Sequence, residues 1–249
     1  MWTKSLWGGR PAGRGCALRR CAIVGLLMLA AGCAAPVQRQ AEQLHREAEK
    51  PPRIVIMPLD VELAEMTAGG IMEPKSEWTE AAIKHMHAAL EAEAKRRNVV
   101  VVDFAPDRGT PEVRDAMLEL VRLHRAVGGA VLVHQYLGPA QALPSKDGKF
   151  DWSLGPEVAA IAKAHDADYA LFLFVRDSYA SAGRVAVIVV GALLGVGVPG
   201  GSQVGFSSLV DLKSGNIVAF NRLVRGHGDL RTPEAATETV NALVSDSLK

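Results

Sequence analysis

Three thiols, a few imidazoles and one glycine-rich loop are the groups in this 249-residue sequence equipped for chemistry. The thiols belong to Cys16, Cys21 and Cys33, all near the amino terminus. His85 and His87 in KHMH invite a metal pair, but residues two apart on a helix point in nearly opposite directions, so solvated surface histidines are expected. His165, Asp166 and Asp168 set one imidazole beside two carboxylates, with no further histidine or cysteine close enough to complete a zinc pattern. A polar loop at the start of a strand accounts for them. Gly195, Gly197 and Gly200 formally satisfy G-x-G-x-x-G. A dinucleotide loop needs its third glycine inside a helix facing the pyrophosphate, and an acidic residue about 20 positions later. Here Pro199, Gly200, Gly201 and Ser202 disfavour a helix, and Asp211 comes too soon. Neither G-x-S-x-G, H-E-x-x-H nor S-x-x-K occurs. Two polar clusters remain: Asp177, Ser178, Tyr179 and Arg184, and then Asn221, Arg225, His227, Asp229 and Arg231. Loop hydrogen bonding or partner contact is their expected role. No catalytic residue, cofactor or metal ligand is assigned.

Only Cys33 has a sequence context that points to a definite reaction. Lys4, Arg10, Arg14, Arg19 and Arg20, with no acidic residue among them, precede the apolar stretch CAIVGLLMLAA. That is the order of a secretory signal: basic region, short apolar region, small residues at the exit. The apolar stretch is about half the ~20 residues a spanning helix needs. At its end LAAGCAAP, Leu29 to Pro36, resembles the lipobox of bacterial lipoproteins; Ala31, Gly32 and Cys33 match, while Ala30 stands where leucine is usual. The resemblance implies removal of residues 1–32 and attachment of lipid chains, palmitate among them, to Cys33. Several acyl chains together hold a protein to a bilayer far more firmly than the marginal grip of one. In such lipoproteins alanine after the cysteine, here Ala34, implies passage to the periplasmic face of the outer membrane.

Cleavage before Cys33 leaves 217 residues with one cysteine, so no internal disulfide can form and stability must come from a packed core. It also leaves 23 basic against 27 acidic residues, a balance that argues against nucleic acid as a partner. Residues 33–52 are polar after Val37 and end in Pro51-Pro52, reading as a lipidated tether. Residues 53–249 suit a single domain.

The elements of that domain emerge from patterning. RIVIMPLDV predicts a buried strand, followed by a loop at Gly69, Gly70 and Pro74. Ser76 is placed to cap a helix with Trp78, Ala82, Met86 and Leu90 on one face. NVVVVDF predicts a second buried strand, completing a β-α-β unit. Thr110, Pro111 and Glu112 start another helix, with Val113, Met117, Leu120 and Val127 apolar. Residues 130–137 fit either its continuation or a strand. PEVAAIAKAHDA is helical in pattern, DYALFLFVRDSY is a nearly continuous apolar strand, and QVGFSSLVDL and NIVAFNRLV flank Lys213-Ser214-Gly215 as an antiparallel hairpin. Thr232, Pro233 and Glu234 begin a closing helix. The fold class is therefore α/β, a mixed sheet flanked by helices, with a strand-helix-strand start and a carboxy-terminal hairpin plus closing helix.

The strand entry Ala167-Asp168 and the hairpin VDLKSGNIV resemble the envelope domains of the CsgG secretion lipoprotein, the LpoB penicillin-binding-protein activator and the amino-terminal part of TolB. FDWSLG, DYALF, DSYASAGR and GGSQVGFSSLVDLKSGNIVAFN resemble a group of uncharacterised proteobacterial lipoproteins. These resemblances imply a non-enzymatic binding or assembly module of the envelope, with an envelope protein or a second copy as partner. An oligomeric secretion or transport accessory of CsgG type and a periplasmic hydrolase are the alternatives.

One segment stands outside this scheme: the glycine-punctuated apolar insertion 183–203. Its fourteen-residue core, Val185 to Val198, would span about 21 Å as a helix, short of a ~30 Å hydrocarbon layer, and it lacks the alternation of a pore strand. A buried or self-packed element, a partner or oligomer interface, and shallow membrane insertion all fit it. Val185, Ile188, Val189, Leu193, Leu194, Val196 and Val198 are its candidate contact residues.

Overall fold

The β-branched run after Pro52 starts the sheet. In the computed structural model, residues 51–105, 108, 110–226, 228–244 and 247–248 are described, with 38–40 described by backbone alone. Cys33, the segment read as a signal peptide, the rest of the tether before residue 51, and His227 lie outside the described residues. Within the tether, Gln38–Gln40 forms a short strand, β1. Arg53–Ile56 forms β2, whose Ile54, Val55 and Ile56 are all buried.

After the break at Met57 to Leu59 the chain does not loop away as expected. Asp60–Met66 forms β3, turns through Thr67 to Ile71, and returns as β4, Met72–Pro74. The amides of Thr67 and Gly70 close the turn on the carbonyls of Ile71 and Thr67, each at 2.9 Å. Val61, Leu63 and Met66 are buried while Glu62 is exposed, so this segment carries a half-buried strand's alternation.

Helix α1, Ser76–Arg96, buries Ala82, Met86 and Leu90 at the predicted spacing, with Trp78 half-buried. Ser76 is its first residue rather than its cap; Lys75 occupies the N-cap and makes no side-chain cap bond. The chain then forms β5, Val100–Asp103, parallel to β2, which completes the β-α-β unit. β5 is not the buried strand expected, for it lies at the sheet edge with Val100 exposed. A valine run satisfies strand preference at an edge as readily as in the interior.

Helix α2, Pro111–Tyr136, takes Thr110 as N-cap and continues through the ambiguous residues 130–136. Gly128-Gly129 does not interrupt it. At Gly128 the helix lies so close to the sheet that a Cβ would stand 2.0 Å from the Phe206 ring. The remaining elements are α3 (Ala159–His165), β6 (Tyr169–Ala180), α4 (Ala182–Leu193), β7 (Gly201–Asp211), β8 (Ile217–Arg225) and α5 (Pro233–Val244).

The sheet order is β1-β8-β7-β6-β2-β5, with β3 beside the distal half of β6 and β4 outside β3. β2 and β3 run parallel to β6, whereas β6-β7 and β7-β8 are antiparallel. The architecture is the mixed α/β fold expected. Side-chain alternation separates two cores. Leu171, Leu173, Val175 and Leu209 meet α1 and α5 on one face; Phe172, Phe206, Val210 and Phe220 meet α2 and α3 on the other. Each fully buried phenylalanine contributes about 1.5–3 kcal/mol.

One end of the sheet is closed by the chain itself. FDWSLG crosses the β7-β8 turn, where the Leu154 amide donates to the Gly215 carbonyl at 2.9 Å, the Ser153 hydroxyl donates to the same oxygen at 2.8 Å, and the Ile217 amide donates to the Trp152 carbonyl at 2.8 Å. Asp211 Oδ1 accepts from the amides of Lys213 and Ser214. Gly215 has φ +78°, and a Cβ there would lie 2.2 Å from the Gly155 carbonyl oxygen, so both its conformation and its contact require glycine. Trp152 and Leu154 are buried, and Lys146 lies over the Trp152 ring at 4.6 Å.

Candidate functional site

The opposite end of the sheet carries the apolar insertion. Ser181 begins α4 as N-cap: its hydroxyl accepts from the Arg184 amide at 3.1 Å, and its own amide donates to the Met66 carbonyl at 3.0 Å. Arg184 is the only charged residue from Ser181 to Val210. Its guanidinium donates to the carbonyls of Pro199 at 2.9 Å and Ala68 at 3.3 Å, tying the first helical turn to the return loop and to the β3-β4 turn. At the far end the Val196 amide donates to the Gly191 carbonyl at 2.8 Å. Gly191 is buried because the returning chain crosses it; a Cβ there would lie 2.8 Å from Val198 Cγ2.

The insertion is therefore a helix and return loop, and it is not a buried element. Ile188 and Val198 are half-buried against the insertion itself, while Val185, Val189, Leu193, Leu194 and Val196 are exposed, Leu193 at 82% and Leu194 at 74%. The β3-β4 turn adds exposed Ile71 and Met72 at this same end. Patches of this kind mark surfaces that meet something other than water. Ile71 and Met72 were not among the residues expected from sequence, although two large apolar residues directly after Gly69-Gly70 were a usable signal.

Beneath this cap lies a buried polar knot. Asp177 Oδ2 accepts from the Tyr179 hydroxyl at 2.5 Å, Gln203 Nε2 at 2.7 Å and the Leu230 amide at 3.3 Å; that amide also donates to the Tyr179 oxygen at 2.8 Å. Gln203 Oε1 accepts from Arg225 Nε at 2.7 Å and Thr239 Oγ1 at 3.1 Å. Arg225 also pairs with Glu238. Arg231, held by Asp229 at 2.7 Å, lies over the rings of Tyr179 at 4.1 Å and Trp78 at 4.9 Å. Burial, and next the Asp177 carboxylate, push the Tyr179 hydroxyl well above its ordinary range, so it stays protonated as a donor. The hydrogen bond from Arg231 holds the Asp229 carboxyl below its ordinary range. Chemically the knot fastens the loop after β8 to the ends of β6 and β7. Asp177 Oδ1 is buried there without a hydrogen-bond partner among the described residues.

The other sequence candidates do not converge on this knot. His165 sits before the opposite end of β6, and Tyr169 to Asp177 alone spans about 26 Å of strand. Its Nδ1 donates to the Ile161 carbonyl at 3.3 Å and its Nε2 accepts from the Ala105 amide at 3.2 Å, an arrangement that assigns the neutral tautomer. Burial lowers its pKa. His85 and His87 are half-buried rather than fully solvated, His85 reaching the Leu230 carbonyl at 3.4 Å. No cluster of three metal-ligating side chains occurs among the described residues. Gly195 to Gly200 comes after the carboxy end of α4, so no helix amino terminus faces that loop. One buried histidine went unread: His124 Nε2 lies 2.9 Å from Ser208 Oγ, between Phe172 and Phe206, and burial pulls its pKa down to about 3. Its position four residues after Leu120 on the apolar face of α2 was the available sign.

No protein-family model and no curated protein matches the chain. Among solved structures it is similar to the PelC dodecamer from Paraburkholderia phytofirmans, with 12% identity, a TM-score of 0.36, and coverage of 84% of this chain and 98% of that one. A variant of the same PelC in another crystal form shares 14% identity at a TM-score of 0.37, over 85% of this chain and 96% of that one.

Proposed function

We propose that the protein is a membrane-anchored, non-enzymatic binding or assembly module of a bacterial envelope, lipidated at Cys33 and held at the periplasmic face of the outer membrane. The observation that carries this reading is the exposed apolar cap of α4 and its return loop, mounted on a hydrogen-bonded base. Such a surface needs a non-aqueous neighbour. The LAAGC motif supplies the membrane, and polar residues singled out in the sequence are engaged within the fold: Asp177 accepts from Tyr179 and Gln203, Arg225 donates to Gln203, and His165 bonds backbone. The working partner is an envelope protein or a second copy met close to the bilayer.

The test has two readouts. Metabolic labelling with a palmitate analogue should mark the wild-type protein and fail on Cys33→Ala. Crosslinking in intact envelopes, with mass spectrometry of the products, should recover one defined partner or a self-crosslink. An unlabelled, freely soluble protein that recovers nothing sinks the proposal.

A further inference from the structure

We infer that the α4 cap inserts into the facing leaflet of a lipid bilayer at the acyl-headgroup boundary, as a second attachment beside the lipid on Cys33. The inference rests on the proposed anchor only for the identity of the membrane.

The first ground is the distribution of apolar surface around α4. Val185, Val189 and Leu193 form one exposed row at four-residue spacing, and Val187, Val190 and Leu194 are exposed on others. A helix that docks on protein presents an apolar stripe bordered by a polar rim. From Val185 to Pro199 there is no polar side chain to form one. An apolar circumference is what hydrocarbon accepts.

Length and backbone set the depth. Twelve residues of helix measure about 18 Å, too short to span a ~30 Å layer. The return loop 195–200 is irregular, and carbonyls and amides in such a segment cannot lie in hydrocarbon without partners. Arg184 marks the lower limit, its guanidinium spent on the Pro199 and Ala68 carbonyls where the cap meets the sheet. The cap therefore enters by about 5–10 Å, the depth of interfacial helices.

The first described strand opens toward the same end of the sheet, and the proposed anchor is near it in sequence. β1 pairs antiparallel with β8, Gln38 opposite Asn221 and Gln40 opposite Ala219. Since Arg225 of β8 lies opposite Gln203 of β7, Gln38 is the end of β1 nearer α4. Cys33 is five residues earlier, a reach of at most about 18 Å. The distance along β7 from Ser207, the partner of Asn221, to Gly201 is about 20 Å.

The experiment exploits the cysteine count. With Cys16 and Cys21 removed and Cys33 lipidated, Leu193→Cys introduces the sole free thiol of the mature protein, as does Glu119→Cys on the exposed side of α2. Each purified protein is labelled with an environment-sensitive fluorophore and reconstituted into vesicles of phosphatidylethanolamine and phosphatidylglycerol, with and without brominated acyl chains. The expected result is a blue-shifted emission at position 193 that brominated lipid quenches, and neither effect at position 119. An unquenched, water-like emission at 193 on vesicle-bound protein overturns the inference. So does lipid-independent burial with a disulfide between two copies, which would assign the cap to self-association. Mass spectrometry of Cys33 reads the anchor separately: if no lipid is found there, the labelling is repeated in Cys33→Ala, and quenching at 193 in that protein leaves insertion standing and removes the anchoring proposal.

Discussion

The two ends of the sheet treat their large apolar residues in opposite ways. At the closed end Trp152 and Leu154 are covered by the chain, the strap being stitched to the β7-β8 turn through Gly215, Trp152 and Ile217. At the open end Leu193, Leu194 and Ile71 stand in solvent although the polar knot below them is densely hydrogen-bonded. The open end is therefore not loose; it is a rigid mount for a surface left uncovered. Apolar residues that stabilise the fold and apolar residues left exposed are separated along a single strand, β6, and its neighbours.

Substitutions should break this comparison in a graded order. The largest effect is expected at the closed end, where Gly215→Val meets both a left-handed φ and the Gly155 carbonyl; a loss of at least about 3 kcal/mol should appear in urea unfolding. Leu154→Ala, at a residue only 2% exposed, should cost about 2–4 kcal/mol by the same measurement. Asp177→Ala tests the mount: three donors lose their acceptor, and about 2–3 kcal/mol should go, with faster hydrogen exchange at Leu230. A smaller, graded effect comes from acid. His124 has a folded pKa of about 3 against about 6.5 unfolded, so its contribution is complete above pH 6.5 and falls as pH drops toward 3, by about 1.4 kcal/mol per unit. His165 shifts in the same direction through burial. The urea midpoint should therefore decline from pH 7 to 5, and His124→Leu should flatten that slope. Least of all, Leu193→Ser should change stability by no more than about 0.5 kcal/mol, because the side chain is already in water. A cost like that of Leu154→Ala would show that the two ends do not differ.

Much of this body could be read from the residues. The Thr110-Pro111 start of α2, the spacing of Ala82, Met86 and Leu90, and the hairpin around Lys213-Ser214-Gly215 are local signals, and they met local structures. The features that escaped are non-local. DVELAEM alternates as a strand should, yet Gly69-Gly70 drew attention to a loop, since the strand's partner, β6, lies more than a hundred residues later in the chain. The valines of β5 announced a strand but not its edge position, which depends on what pairs beyond it. FDWSLG gave no local sign of its strap role because Ser153 meets Gly215 across 62 residues. In the insertion, hydrophobicity reports a preference for leaving water but not the neighbour that replaces it, so buried, docked and inserted states share one pattern, and exposure sets aside only the buried one.

β1 carries one more consequence. It covers the outer edge of β8 at Ala219 to Asn221 with only three residues, and it belongs to the segment whose sequence reads as a tether. The site of proteolytic shedding would thus govern the fate of the released protein. A cut between Cys33 and Gln38 frees a domain whose edge remains covered. A cut between residues 41 and 51 releases the cover as well, baring a row of unpaired backbone groups that other chains can extend. Three residues thus decide whether the outer edge of β8 stays paired or lies open to another chain.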